Sequence, residues 1–230
     1  MKHFHTPSMG LALIVGIFAA GEASAIDFGG QNYVALAAGS TTLPTQGLYQ
    51  QNFQFVNIGF DNQARLNGFL GVTLGRAFSN GLRPELELSR RENDISKFGN
   101  RLYDGGGQLD GHGTEGGDFA LLNVWYDIDL SRFNIPVRPY IGAGLGRARI
   151  KVKGLEAGGV NFGDAKADVS ANQLGVGLAF NVTDNLTLSL DYRYIRTEAG
   201  NFGSIPNIPP GDVEARYKAS STSIALRIHF

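Results

Sequence analysis

The chain has 230 residues, with 20 Lys+Arg against 21 Asp+Glu, a balance that lacks the basic excess of a nucleic-acid binder. Cysteine is absent, which removes disulfides and thiolate metal sites. Mean hydropathy is -0.09, and beyond residue 25 there is no apolar run of the ~20 residues a membrane helix requires. A transmembrane β-barrel is not excluded by that criterion, because its lipid-facing residues alternate with polar ones.

Residues 1–25 read as a cleaved export signal: Lys2 gives the positive start, Met9 to Ala20 the apolar stretch, and Ala23 and Ala25 the small residues of a signal-peptidase site. The remainder, 26–230, is expected to be one domain.

Beyond Ile26 the sequence alternates with period two, the side-chain repeat of a β-strand. A first strand is placed around Gln31 to Gly39, its facing undecided. Next comes a hairpin in which Leu66, Gly68, Leu70, Val72 and Leu74 share one face. Ser79-Asn80-Gly81 supplies its turn, and Leu82, Pro84, Leu86 and Leu88 continue the apolar face against Arg83, Glu85, Glu87 and Arg91. In the third unit Ala120, Leu122, Val124, Tyr126 and Ile128 oppose Leu121, Asn123, Trp125 and Asp127. After a turn at 131–134, Val137, Pro139, Ile141, Ala143 and Leu145 oppose Arg138, Tyr140, Gly142, Gly144 and Gly146.

The clearest hairpin follows. Leu174, Val176, Leu178, Phe180 and Val182 lead through Thr183-Asp184-Asn185 to Leu186, Leu188, Leu190, Tyr192 and Tyr194, with Thr187, Ser189, Asp191 and Arg193 opposite. A final strand carries Ile224, Leu226, Ile228 and Phe230 against Ser223, Ala225, Arg227 and His229.

Eight strands are thus predicted. Short connectors (78–82, 129–136, 183–185) alternate with long ones (40–62, 92–118, 151–170, 197–214) that are expected to be mobile surface loops, with parts of 100–117 disordered. This is the pattern of an all-β, antiparallel up-and-down barrel with both termini at the short-turn end, the periplasmic end in a bacterial outer membrane.

Glycine decides which face meets lipid. Gly142, Gly144, Gly146, Gly175, Gly177, Gly71 and Gly75 share the polar face. A small barrel must fill its own interior, so small residues belong inside and the bulky apolar set faces hydrocarbon. Arg83, Glu85, Glu87, Arg91, Asp127, Arg138, Asp191, Arg193 and Arg227 are then expected to form a lumen charge network, since a buried unpaired charge costs several kcal/mol.

At Pro139 to Gly146, at Leu186 to Tyr194 and at Ile224 to Phe230 the chain resembles the small OmpA/Opa-like outer-membrane barrel family. The resemblance implies a Gram-negative outer membrane, contact with its lipid and lipopolysaccharide, and a structural or surface-interaction role of adhesion or immune-evasion type toward a host or envelope partner through the loops. It also implies that Ile224, Leu226, Ile228 and Phe230 form the signal read by the barrel assembly machinery. A narrow porin is the alternative, and a lipid-A-modifying enzyme a second.

Chemistry has little footing. His112 is read as a solvated loop histidine, with Asp110, Thr114 and Glu115 near it but no serine at suggestive spacing, and His229 as a residue of the periplasmic rim. Asp104 to Asp118 has neither the EF-hand nor the glycine-aspartate repeat of a calcium site. Gly142 to Gly146 lies mid-strand, unlike a phosphate-binding loop that opens a helix. The expectation is a monomer without cofactor, metal, nucleic acid or catalytic activity.

Overall fold

The computed structural model describes residues 30–50, 53–61, 68–100, 108–130, 133, 136–208 and 211–230. The expected signal, with Ala23 and Ala25, lies outside them, as do Leu66, Asn67 and residues 101–107.

The described residues form ten strands: β1 Gly30–Thr42, β2 Gln46–Gln50, β3 Phe53–Asp61, β4 Phe69–Phe78, β5 Leu82–Asn100, β6 Gln108–Asp127, β7 Val137–Ala157, β8 Val160–Thr183, β9 Leu186–Asn201 and β10 Glu214–His229. All pairings are antiparallel, and among the described residues there is no α-helix. β1 pairs with both β4 and β10, which closes a ring running β1-β4-β5-β6-β7-β8-β9-β10. The barrel is therefore eight strands around, as expected.

The extra pair, β2 and β3, lies within the expected loop 40–62. β10 bonds β1 from Ser220 to His229 and then β2 at Glu214 and Ala215. β5 bonds β4 from Glu85 to Arg91 and then β3 from Asp94 to Asn100. β2 and β3 thus take over the wall where β1 and β4 leave it, so the second level is eight strands around as well.

Two more long connectors are corrected in the same sense. Strand structure covers most of 92–118 and 151–170, including 108–117, part of the segment where disorder was expected, whereas in 197–214 it is limited, among the described residues, to 197–201 and Glu214. β7 and β8 meet through Gly158 and Gly159 alone, both at positive φ (58° and 77°), which suits a two-residue hairpin turn. The segment 101–107 lies outside the described residues.

A membrane-crossing strand needs about 9–11 residues, whereas β8 has 24. The surplus has the opposite polarity. Around the short-turn end the outward side chains are apolar: Val34, Leu36, Val72, Val124, Ile141, Leu145, Leu174, Val176, Leu190, Tyr192, Ile224 and Ile228 are all exposed. Beyond the level of Arg90, Arg147 and Arg196 the outward positions are mainly charged or polar, while Ile95, Phe98, Phe119, Ile150, Leu155, Phe162, Val169 and Ile195 turn inward and are buried.

The lower barrel is apolar outside and polar inside; the upper barrel is the reverse. The undecided first strand is settled by the same geometry, with Tyr33 and Ala35 buried and Val34 and Leu36 outward.

Candidate functional site

The lower lumen is organised around β5, whose alternation sends Arg83, Glu85, Glu87, Ser89 and Arg91 inward, all buried. Glu87, with 0% exposure, is the hub. It receives Arg193 Nη1 at 2.6 Å and Arg91 Nη2 at 3.5 Å, and accepts hydrogen bonds from Ser89 Oγ (2.7 Å), Asn123 Nδ2 (2.9 Å) and Gln173 Nε2 (3.0 Å). One carboxylate thus meets donors from β5, β6, β8 and β9.

A second cluster lies nearer the short turns. Arg83 pairs with Glu85 and with Asp127, both at 2.8 Å. Glu85 also accepts from Trp125 Nε1 at 2.7 Å and from the Tyr33 hydroxyl. Asp191 pairs with Arg193 at 3.4 Å and accepts from the Tyr140 hydroxyl.

Aromatic rings cover the guanidinium faces. Arg91 lies 4.6 Å from the Phe119 ring centre, Arg83 4.8 Å from Tyr140, and Arg193 5.1 Å from Trp125. Such contacts strengthen when desolvated. They also explain the inward glycines: the Trp125 ring packs against Gly142, and the Tyr140 ring against Gly177, leaving no room for a Cβ at either.

Eight of the nine sequence-derived network residues join one another through ion pairs: Arg83, Glu85, Glu87, Arg91, Asp127, Asp191 and Arg193 in these two clusters, and Arg138 through Asp127. Arg227 is buried in the lumen but stacks on Tyr33 at 5.1 Å. Arg138 stands at the rim, half exposed and 3.9 Å from Asp127. Sequence reasoning did not assign Tyr33, Ser89, Asn123, Trp125, Tyr140 and Gln173 to the network. Asn123 and Trp125 lay in plain view on the polar face with Asp127.

Between these clusters lies a cavity of about 10 Å³, room for about one water molecule. Above them the lumen is closed again by two apolar clusters. The first centres on Phe119, Ile150, Val169, Ile195 and Tyr217, the second on Ile58, Phe98, Leu155, Phe162 and Val213. Within this apolar region Glu115 is buried, and burial pushes its carboxyl up to about 8.

Outside, a row of cross-strand ion pairs encircles part of the upper barrel. Asp118 joins Arg90 (2.7 Å) and Lys151 (2.5 Å), and Asp168 joins Arg149 (2.8 Å). These partners hold both carboxyls below their usual range.

His112 is exposed on β6 instead of in a loop, and His229, half-buried at the short-turn end, contacts Thr187 Oγ1 at 3.2 Å. The row Ile224, Leu226, Ile228 and Phe230 faces outward throughout. Among the described residues no cluster of His, Asp and Glu could hold a metal.

A closed antiparallel barrel with an apolar waist and a polar, filled lumen is the geometry of a membrane-spanning barrel. A family model described as outer membrane protein beta-barrel domain matches residues 10–230. The chain belongs to that family. Solved barrels of the same fold include the outer membrane protein OprG from Pseudomonas aeruginosa (11% identity, 87% of this chain and 97% of that one, TM-score 0.51). A major outer membrane protein from Thermus thermophilus is similar at 14% identity, with 87% and 99% covered and TM-score 0.51. Neisserial surface protein A aligns at 18% identity over 88% and 99%, with TM-score 0.46. No curated protein matches the chain.

Proposed function

We propose that this outer-membrane barrel is a closed, non-enzymatic platform of a Gram-negative surface, whose upper barrel presents a stiff charged projection to a host or envelope partner. In this reading both termini are periplasmic, the apolar waist contacts outer-membrane lipid, and Ile224, Leu226, Ile228 and Phe230 are the stretch read during barrel assembly. The carrying observation is the doubly closed lumen: a charge network around fully buried Glu87, capped by two apolar clusters. A porin needs a continuous wet path, and here the space within the network has room for about one water molecule.

Its outward surface is built for contact instead. Strands that run far past the membrane hold Arg90, Asp118, Arg149, Lys151 and Asp168 in fixed cross-strand pairs, so a partner meets an ordered surface at little entropic cost.

Planar-bilayer recording and lipid A mass spectrometry on one purified preparation test the reading. A silent bilayer and unchanged lipid A masses are expected. Steady conductance would replace it with the porin alternative, and an altered lipid A mass would replace it with a lipid-modifying enzyme.

A further inference from the structure

The upper wall has a seam. β10 bonds β1 down from Ser220 and β2 at Glu214 and Ala215, so Arg216 to Ala219 have no strand partner on that side. Pro44 lies in the break between β1 and β2, and it has no N–H to offer a ladder. On the other side β10 itself is irregular, with a register shift between Arg216 and Lys218. A cavity of about 590 Å³ fills the seam, lined by Gln46, Tyr49, Glu214, Arg216 and Lys218 among others. That is within the ~300–1,000 Å³ of small-molecule sites.

Its polar groups are unusual in two ways. Gln46 is 94% buried (6% exposed), yet neither its amide oxygen nor its nitrogen has a hydrogen-bond partner among the described residues. A buried amide left in that state is destabilising. Lys218 is also directly opposite Arg196 on β9, and like charges facing each other across strands repel. The paired charges of β5 to β8 have acids between them, whereas Arg196, Arg216 and Lys218 make no ion pair among the described residues. An anion in the seam would relieve the repulsion, and hydroxyl groups would satisfy Gln46.

The height of the seam narrows the ligand. Arg196 is one outward position above Tyr194, the last exposed aromatic of the lipid-facing row on β9. Aromatics of that kind sit at the membrane surface, so the cations are level with lipid headgroups. We propose that the seam binds the phosphorylated sugar headgroup of an outer-leaflet glycolipid. Arg216, Lys218 and Arg196 take the phosphate, Gln46 and Glu214 take sugar hydroxyls, and the half-exposed ring of Tyr49 covers the sugar. The lipid source rests on the proposed orientation, with the upper barrel outside the cell.

Native mass spectrometry of the detergent-solubilised barrel tests this with bisphosphorylated lipid A, dephosphorylated lipid A and glucosamine 6-phosphate as probes. Charge-assisted contacts of this kind predict at least about tenfold preference for the bisphosphorylated lipid, and a loss of about tenfold or more in R216Q/K218Q. Gln46→Leu should weaken binding without touching any charge, and K153Q/K166Q, which removes exposed cations outside the seam, should leave it unchanged. Equal binding of the two lipids, or an R216Q/K218Q variant that binds like wild type, overturns the site. Glucosamine 6-phosphate binding as tightly as the lipid overturns the glycolipid as its source.

Orientation is read separately by labelling Lys166→Cys on intact cells with a membrane-impermeant maleimide. Labelling supports the outer leaflet. A protected cysteine removes that leaflet's glycolipid as occupant while leaving the in-vitro phosphate preference to be read independently.

Discussion

Glu87 shows how a single carboxylate can determine whether the lumen holds. It balances Arg193 and Arg91 at once, with three neutral donors completing its shell. Removing one partner of a buried charged set strands the others, at a cost of about 3–5 kcal/mol. Glu87→Ala should lose that much in urea-induced unfolding followed by the gel shift of the folded barrel, and Glu87→Gln, which keeps hydrogen-bonding capacity, should lose less. Near-identical midpoints for wild type and Glu87→Ala would contradict the network account.

Glu115 makes the opposite contribution. Its carboxyl is raised from 4.5 to about 8 by burial. Between those values the unfolded chain has released the proton that the native state still binds. Stability therefore falls as pH rises through that window, by about 1.4 kcal/mol per pH unit at most. Glu115→Gln should flatten this dependence and stabilise the protein most near pH 8. A variant whose pH profile parallels wild type would show that Glu115 is not the group responsible.

At the scale of strands, β7 and β8 explain what the sequence showed and what it concealed. The lower hairpins were legible because Leu174 to Val182 and Leu186 to Tyr194 keep one apolar face against one polar face. The small residues Gly142, Gly175 and Gly177 showed which face had to be inside. The upper halves were read as loops because the apolar phase changes while the strand continues. On β7 the outward Ile141, Ala143 and Leu145 are followed by outward Arg147, Arg149 and Lys151, and the apolar role passes to inward Ala148, Ile150 and Val152.

Period two persists through that change, and only the surrounding medium switches from lipid to water. A search for one continuous apolar face stops at Leu145. Gly158-Gly159 resembled loop composition although it is a tight turn. The seam cluster left no comparable signal, because Gln46 and Lys218 line one cavity through a long-range closure that local spacing does not encode.

The two halves should therefore fail separately. Phe162, stacked on Phe98 at 5.1 Å, anchors the uppermost cluster. Phe162→Asp should cost about as much as a large core truncation, ~3–5 kcal/mol, plus the burial of a charge. Amide exchange should then accelerate in 150–165 and remain slow in 174–194. Uniform loss of protection through both regions would mean that the halves form one cooperative unit.

At the scale of the molecule, the wall inverts its polarity part-way up. A single continuous wall faces lipid with leucine and valine below and faces water with arginine and lysine above, and its filling is reversed accordingly. The absence of cysteine from the chain makes this directly measurable. Nitroxide labels attached at Val176→Cys and Leu190→Cys on the waist, and at Arg149→Cys and Lys166→Cys above it, can be compared in lipid bilayers by collision with oxygen and with a water-soluble nickel chelate. Oxygen-dominated collisions are expected at the first two sites and chelate-dominated collisions at the other two. Chelate access at Val176 and Leu190 equal to that at Lys166 would contradict the inversion.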